Sequence, residues 1–214
     1  MEHWDRLRGD QGFYWDDGLF RPSTDTFLLG SFPVLRRGEQ VCDLGAGTGL
    51  LGALLLTREP SLTVTGLELR EDACRLARRT AQRSGWQERL LCQQGDLRLR
   101  EDLPPAGGFD LVVSNPPYVP SGEIERLMPE VSQYEPRLAL DGGPDGLEPY
   151  RRLFELCARV LRRGGFFCVE YGGGAQTEAL RALAPKAFRE TVLLRDIAGC
   201  DRVIGWRFAD VLPH

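Results

Sequence analysis

Short apolar runs alternate along this chain with longer stretches in which apolar residues recur at helical spacing. Runs rich in Val, Leu and Phe that end at Gly, Asp or Pro predict strands, and the amphipathic stretches between them predict helices. We expect strands near 40–44, 62–68, 89–93, 109–114, 166–170, 189–195 and 201–208, and helices near 49–58, 71–84, 148–162 and 176–184. Because strands and helices alternate, the pattern predicts an α/β fold with a mostly parallel, doubly wound sheet of seven strands.

The last two predicted strands are joined by only a short link around residues 197–199. Parallel neighbours need a crossover of a dozen or more residues, so these two strands should pair antiparallel. We therefore expect an antiparallel C-terminal hairpin on an otherwise parallel sheet.

Composition limits the class of protein further. The 214 residues, 42% of them hydrophobic, are enough for one domain with a substantial core. The 27 Lys and Arg residues against 31 Asp and Glu give a net charge of -4, so the chain lacks the overall basic footprint of nucleic-acid binders.

The six cysteines form no Cys-x-x-Cys pair and both histidines lie at the termini, which favours reduced thiols and no metal site. The polar start and the absence of an 18-residue apolar run predict a soluble, cytoplasmic protein without a membrane partner.

A glycine-rich turn follows the first sheet strand, in the sequence Asp43-Leu44-Gly45-Ala46-Gly47-Thr48-Gly49. Glycines let a ligand approach the backbone closely, and the following helix start offers free N–H groups to an anion. No Lys-Ser/Thr follows the glycines, and their spacing is tighter than the dinucleotide fingerprint. The turn therefore predicts a nucleotide-type site of another kind.

Three more polar residues stand at or near the ends of predicted strands, namely Glu68, Asp96 and Asn115. Ligands of open α/β sheets bind at this carboxyl edge, and an acidic residue about 20 positions after the glycine turn is where a carboxylate reaches a ribose diol. With Asp43, these residues predict a site for an adenosine-containing ligand.

The strand predicted near 109–114 runs into Asn115-Pro116-Pro117-Tyr118. Two prolines make this exit rigid, so the Asn115 side-chain oxygen and the Pro116 carbonyl can each accept one hydrogen of a planar, uncharged NH2 group. Tyr118 would flank that group by stacking, or simply pack at the rim. Taken alone, the tetrapeptide is also an ordinary strand-to-turn exit.

Together these features resemble the class I S-adenosylmethionine-dependent methyltransferases. The resemblance implies that S-adenosylmethionine is the cofactor and that residues 40–214 are the methyltransferase domain, preceded by an extension and capping helix over 1–39. It implies a cofactor site made of Thr24, Asp43, Gly45, Ala46, Gly47, Glu68, Leu69, Asp96, Leu97 and Asn115. It also implies that Asn115, Pro116, Pro117 and Tyr118 form the catalytic motif of enzymes that methylate amide or exocyclic amino nitrogens.

A longer part of the sequence is similar to the HemK/PrmC family, whose members methylate the glutamine of the Gly-Gly-Gln motif in peptide-chain release factors. It runs through residues 115–120, 129–131, 134–140, 142–143, 145–147, 150–151, 164–167, 170–172, Gln176 and 199–203. The family's bacterial members have a helical amino-terminal domain, whereas about forty residues precede the first sheet strand here, too few for a domain with its own core. We therefore expect this domain to be lacking and substrate docking to differ.

Two alternatives stay open. The segment from Thr24 to Leu29 also resembles methyltransferases that act on an adenine of transfer RNA, while the net charge favours a protein substrate. The first alternative is therefore an adenine methyltransferase that acts on transfer RNA. The second alternative is a non-catalytic subunit that binds the cofactor and supports another methyltransferase. Ser23 is predicted to cap a helix in this segment.

Residues 119–147 show no clear periodicity and contain a Gly-Gly-Pro-Asp-Gly cluster. Long loops in compact domains are usually functional or disordered, so we interpret this one as a substrate lid. For Glu130, Tyr134, Glu135 and Arg137 within it, we favour contacts that fix the loop over contacts with substrate.

Overall fold

The computed structural model describes residues 1–19, 21–128 and 136–209. The chain forms two compact units, residues 1–104 and 105–214. None of the described helices combines the length and the apolar character that crossing a membrane would require.

The first unit contains a strand hairpin, three helices and three sheet strands. Its elements are β1 (Glu2–Arg8), β2 (Gln11–Asp16), α1 (Thr24–Ser31), β3 (Gln40–Leu44), α2 (Leu50–Arg58), β4 (Thr63–Glu68), α3 (Glu71–Ser84) and β5 (Leu90–Gln94). Strands β3, β4 and β5 are parallel, with Asp43 opposite Gly66 and Glu68 opposite Gln94. The carboxyl ends of the three strands therefore lie at one edge, as predicted.

The antiparallel β1–β2 hairpin was not predicted from the sequence. Its second strand lies against α3, where the Gly12 N–H donates to Ser84 Oγ over 3.1 Å and the Tyr14 N–H donates to Thr80 Oγ1 over 2.8 Å. Because β2 pairs with only one strand within the described part of the chain, these side-chain hydroxyls satisfy backbone groups that the sheet leaves without a partner.

Helix α1 begins as the sequence predicted. Ser23 is its N-cap, and its hydroxyl accepts the Thr26 N–H over 3.1 Å, which satisfies one of the unpaired N–H groups of the first turn. The capping function of Ser23 is therefore confirmed.

The second unit contains four sheet strands and three helices among its described residues. These are β6 (Phe109–Ser114), α4 (Arg137–Leu140), α5 (Glu148–Val160), β7 (Leu161–Glu170), α6 (Ala175–Leu183), β8 (Phe188–Arg195) and β9 (Asp201–Phe208), with a 3-10 turn at Ile124–Arg126. Strand β9 is antiparallel to both β7 and β8, which confirms the C-terminal hairpin. The seven sheet strands have the order β5-β4-β3-β6-β7-β9-β8.

The predicted start of β7 was wrong by several residues. Helix α5 ends at Val160 and β7 begins at Leu161, whereas the sequence placed these limits near 162 and 166. Leu161 pairs with Phe109 before a register irregularity, and the Gly107 N–H donates to the Arg159 carbonyl over 2.9 Å. Because of this pairing with residues far away in the sequence, the residues directly after the helix belong to β7. No local sequence pattern reveals it.

Aromatic rings form the centre of the second unit's core. Phe154 on α5 packs with its ring centroid 5.6 Å from Phe167, 5.3 Å from Phe188 and 4.9 Å from Trp206, in edge-to-face geometries. All four side chains are buried. Phe154 thus joins the helix to β7, β8 and β9.

Replacing Phe154 by Ala should lower the free energy of unfolding by about 3–5 kcal/mol, since it removes a large buried ring and leaves a cavity. Urea unfolding of the purified protein measures this. Ile197→Ala is the control, because Ile197 is fully exposed and should change stability by less than about 0.5 kcal/mol. Equal effects of the two substitutions would contradict the central packing position of Phe154.

Candidate functional site

The glycine turn after β3 has a backbone that side-chain-bearing residues rarely adopt. Gly45, Gly47 and Gly49 have φ of +77°, +55° and +81°, and Gly49 caps the start of α2. A Cβ added at Gly45 or Gly47 would meet nothing within 4 Å, so it is conformation rather than crowding that requires glycine there. The turn therefore leaves open space beside an exposed backbone.

Glu68, the last residue of β4, is bonded directly to this turn. One carboxylate oxygen accepts the Gly47 N–H over 2.8 Å, and the other accepts the Arg70 N–H over 2.8 Å. The Gly45 and Ala46 N–H groups donate to the Leu67 carbonyl over 2.9 and 3.1 Å. The end of β4 thus fixes the glycine turn before any ligand binds, and each Glu68 oxygen retains a lone pair for a further donor.

Asp43, in β3 just before the turn, is an uncompensated acid. Its side chain is 1% exposed, and neither carboxyl oxygen has a hydrogen-bond partner among the described residues. Burial, together with the negative charge of Glu68, raises the pKa of Asp43 from 3.8 to about 7. A buried acid of this kind favours a cationic or hydrogen-donating ligand nearby.

Asp96 lies two residues after the end of β5. The Asp96 carboxylate is engaged by Arg98, whose guanidinium donates over 2.6 Å and whose side chain is 77% exposed. The Asp96 side chain itself is 18% exposed, so solvent screens the pair mainly at its arginine end. Sequence reasoning missed Arg98, because a charged residue two positions after an acid looks like a solvated surface pair.

The remaining sequence candidates of the first unit are less constrained. Leu69 follows Glu68 and is exposed, Leu97 is half-buried beside Asp96, and Ala46 is buried within the turn. Thr24 is exposed at the start of α1. The structure links Gly45, Ala46, Gly47 and Glu68 through the hydrogen bonds above, and Asp43 lies just before them in β3, within reach of the Glu68 charge. It places Leu69, Asp96 and Leu97 at the adjoining strand ends.

In the second unit, the predicted catalytic motif directly follows β6, so the strand-to-turn placement is confirmed. Asn115 is half-buried, Pro116 is buried, and Pro117 and Tyr118 are half-buried. Ser114, the last residue of β6, lies opposite Val169 of β7. The Asn115 side chain is therefore accessible at a strand end that buried neighbours hold in place.

The segment after the motif is ordered by its own contacts over the described residues. The Val119 N–H donates to the Leu140 carbonyl and the Gly142 N–H donates to the Val119 carbonyl, both over 2.9 Å. Val119, Ile124 and Leu140 form a small buried cluster against which Tyr118 packs. Within the loop interpreted as a lid, Arg137 pairs with Asp141 over 3.3 Å, while Glu130, Tyr134 and Glu135 lie outside the described residues.

The sheet order, the reversed last hairpin and the glycine turn after the first sheet strand define the class I methyltransferase fold. A solved S-adenosylmethionine-dependent O-methyltransferase from Thermotoga maritima shares this fold with a TM-score of 0.62 and 16% identity, over 92% of this chain and 69% of that one. The family model named Methyltransferase small domain matches residues 14–131.

Two relatives share much more sequence. The release factor glutamine methyltransferase of Rhodospirillum rubrum is 35% identical over 207 residues, 93% of this chain and 62% of that protein. Its counterpart in Clostridium acetobutylicum is 33% identical over 196 residues, 90% of this chain and 68% of that protein. This chain thus belongs to the release factor glutamine methyltransferase family, also called HemK/PrmC, within the methyltransferase small domain proteins, and the family resemblance in the sequence is confirmed. It spans less than two thirds of the length of the first relative, 62%, and 68% of the second.

The raised pKa of Asp43 predicts how stability depends on pH. Between the ordinary value of 3.8 and about 7, the folded chain binds a proton that the unfolded chain has lost. The stabilisation is therefore complete below pH 4 and is lost as the pH rises through 7. Between pH 5 and 8 the ligand-free protein should lose about 3 kcal/mol through this residue.

The test is urea unfolding of the wild type and Asp43→Asn at both pH values. The asparagine carries no titrating proton, so the variant should lack this part of the decline. Parallel pH profiles for the two proteins would contradict the assignment.

Proposed function

We propose that this chain transfers a methyl group from S-adenosylmethionine to the side-chain amide nitrogen of a glutamine in a protein, and that the protein is a peptide-chain release factor. The observation that carries the proposal is the Asn-Pro-Pro-Tyr motif at the end of β6, in a chain whose relatives are named release factor glutamine methyltransferases.

The first unit supplies the features that a cofactor of this charge needs. S-adenosylmethionine carries an ammonium and a sulfonium, and Asp43 and Glu68 place two acidic side chains beside open backbone of the glycine turn. We assign the ribose hydroxyls to Glu68 and the adenine side to Asp96, Leu69 and Leu97. Gly45, Ala46 and Gly47 would lie along the methionine part, Thr24 would complete the cofactor site, and Asn115 would border it on the acceptor side without contributing much to cofactor affinity.

The acceptor nitrogen poses the chemical problem. Its lone pair is delocalised into the amide carbonyl, so it is a poor nucleophile until its two hydrogens are held by acceptors. The Asn115 side-chain oxygen and the Pro116 carbonyl are such acceptors, and Pro117 limits their movement. When bound, the cofactor supplies an electrophilic methyl group on sulfur and leaves as the neutral thioether.

Positioning is then the main catalytic contribution of the protein. Asn115 and Pro116 would hold and orient the amide nitrogen for attack on the methyl group, and Tyr118 would cover one face of the amide. As the new N–C bond forms, the nitrogen loses one of its held protons to water, so no residue needs to act as a strong base.

The same proposal gives the chain its organisation. Residues 40–214 would be the methyltransferase domain, and residues 1–39 an extension whose capping helix carries Thr24. The described parts of 119–147, which pack beside Tyr118, would cover the bound substrate. We place the protein in the cytoplasm, where a release factor would meet it and where six free cysteines stay reduced.

Methyl transfer from labelled S-adenosylmethionine to a purified release factor and, in parallel, to unmodified transfer RNA tests the substrate. Label on the glutamine of the Gly-Gly-Gln motif, located by mass spectrometry, is the expected result. Label only on an adenine of the RNA would replace the protein substrate by transfer RNA, and cofactor binding without any product would indicate a non-catalytic subunit.

Asn115→Ala should lower kcat by about 100-fold or more, since it removes an acceptor that acts on the reacting nitrogen, and should leave the Kd for S-adenosylmethionine within about twofold. Gln87→Ala is the matched control, because it removes an amide side chain from an exposed position. Calorimetry gives the Kd and the release factor assay gives kcat. Equal losses of turnover and cofactor affinity would argue against acceptor binding by Asn115.

Glu68→Ala should weaken S-adenosylmethionine binding by about tenfold or more, because it removes a charged acceptor and frees the Gly47 N–H. Glu71→Ala removes an exposed carboxylate that pairs with Arg78 and should leave the Kd unchanged. Isothermal titration calorimetry distinguishes the two variants. A Kd for Glu68→Ala within twofold of wild type would refute the assignment.

A further inference from the structure

We propose that Gln176 is a positioning residue that fixes the Asn-Pro-Pro-Tyr turn in its catalytic geometry. The inference rests on the proposed function, since it concerns the same acceptor site. It concerns only residues of the second unit.

Gln176 lies in the first turn of α6, and its side-chain amide joins three other segments of the chain. The amide nitrogen donates to the Tyr118 carbonyl over 2.8 Å and to the Gly146 carbonyl over 3.4 Å. The amide oxygen accepts the Gly172 N–H over 3.1 Å. One half-buried side chain thus uses both of its donors and its acceptor on backbone groups.

Two glycines make room for this arrangement. A Cβ at Gly146 would lie 2.5 Å from the Tyr118 oxygen and 2.6 Å from the Gln176 amide nitrogen, and φ there is +71°. A Cβ at Gly172 would lie 2.9 Å from the Gln176 amide oxygen and 3.2 Å from a ring carbon of Tyr118. The segments around Gln176 are therefore packed as closely as backbone allows, and the Tyr118 ring lies against Gly172.

Gly172 is itself held on its other side, which makes it a fixed reference point. Its carbonyl accepts a hydrogen bond from the Arg202 guanidinium over 3.1 Å, and Arg202 also pairs with Asp196 over 2.9 Å. The Tyr171 N–H donates to the Arg202 carbonyl over 3.0 Å. Through Gln176, the Tyr118 carbonyl is connected to the sheet strands rather than to the loop alone.

The position of the Tyr118 carbonyl matters for the acceptor groups upstream. Between Asn115 and Tyr118 the backbone contains two prolines, whose rings fix φ, so this short segment has few torsions that can absorb a shift. Moving the Tyr118 carbonyl therefore moves the Pro116 carbonyl and Asn115 with it. A displacement of about 1 Å at a reacting centre can cost about a hundredfold in rate.

Gln176→Glu is the sharpest variant, because it keeps the shape and the acceptor for Gly172 while replacing the donor by a carboxylate that faces two carbonyl oxygens. We expect kcat to fall about a hundredfold at pH 8, with the Kd for S-adenosylmethionine within about twofold of wild type. Gln82→Glu makes the same chemical change at an exposed position of α3 and should leave kcat unchanged.

The pH dependence separates positioning from a general structural effect. Protonation of the carboxyl group that Gln176→Glu introduces restores one donor for the Tyr118 carbonyl, so the ratio of variant to wild-type kcat should rise as the pH falls from 8 to 6. Gln176→Met, which has similar length and no hydrogen bonds, should lose about tenfold in kcat with a ratio independent of pH. A flat ratio for Gln176→Glu, or a kcat within twofold of wild type, would overturn the proposal.

A readout without turnover keeps this proposal distinct from the proposed function. The protein contains five tyrosines, so 3-fluorotyrosine labelling gives a simple 19F spectrum in which Tyr118→Phe identifies the Tyr118 resonance. Gln176→Met should shift or broaden the Tyr118 resonance, while Gln82→Glu, which changes a helix of the first unit, should leave the Tyr118 resonance in place. If the wild type fails to methylate a release factor, the proposed function fails, yet the 19F comparison still decides whether Gln176 fixes Tyr118. Loss of thermal stability alone, with the Tyr118 resonance and kcat unchanged, would leave Gln176 a purely structural residue and overturn the proposal.

Discussion

The first unit is organised around a carboxyl group that is buried without a hydrogen-bond partner among the described residues. Removing a polar group from water without a partner costs free energy, and a charged group costs more, so Asp43 keeps its proton to about pH 7. The Asp43 side chain belongs to β3, which pairs in parallel with β4 and directly precedes the glycine turn. Its unfavourable position is relieved most directly by a positively charged or donating ligand.

The turn beside Asp43 is preorganised by the neighbouring strand. Glu68 and the Leu67 carbonyl accept the N–H groups of Gly45, Ala46 and Gly47, so the loop does not have to be ordered when a ligand arrives. Preorganisation of this kind lowers the entropy lost on binding. The same Glu68 carboxylate shapes the loop and, in the function proposed here, would offer lone pairs to a ribose.

In the second unit, the turn after β6 is also held in place before a ligand binds, but by different contacts. Its polar turn after β6 is held by two prolines within it and by the Gln176 amide from outside. The small apolar cluster of Val119, Ile124 and Leu140 supports the segment that follows. Since the chemistry proposed for Asn115 depends on geometry more than on acid–base strength, these supporting contacts are as relevant to function as the residues that touch the substrate.

Much of this could be predicted from the sequence, because the signals are local. The glycine turn, the acids at strand ends, the Ser23 cap and the antiparallel last hairpin follow from spacing, composition and link length, and the structure places them accordingly. The N-terminal hairpin was missed, since its strands are mostly polar and are ordered by hydroxyls of α3 some seventy residues away. The limits of β7, the Arg98 pair and the joining of Tyr118, Gly146 and Gly172 by Gln176 were missed as well. The sequence by itself determined which chemical groups stand at the ends of strands, because periodicity and turn residues are written in adjacent positions. Only the tertiary structure decided which of those groups are paired, buried or left without a partner, because that depends on distances between residues far apart in the chain.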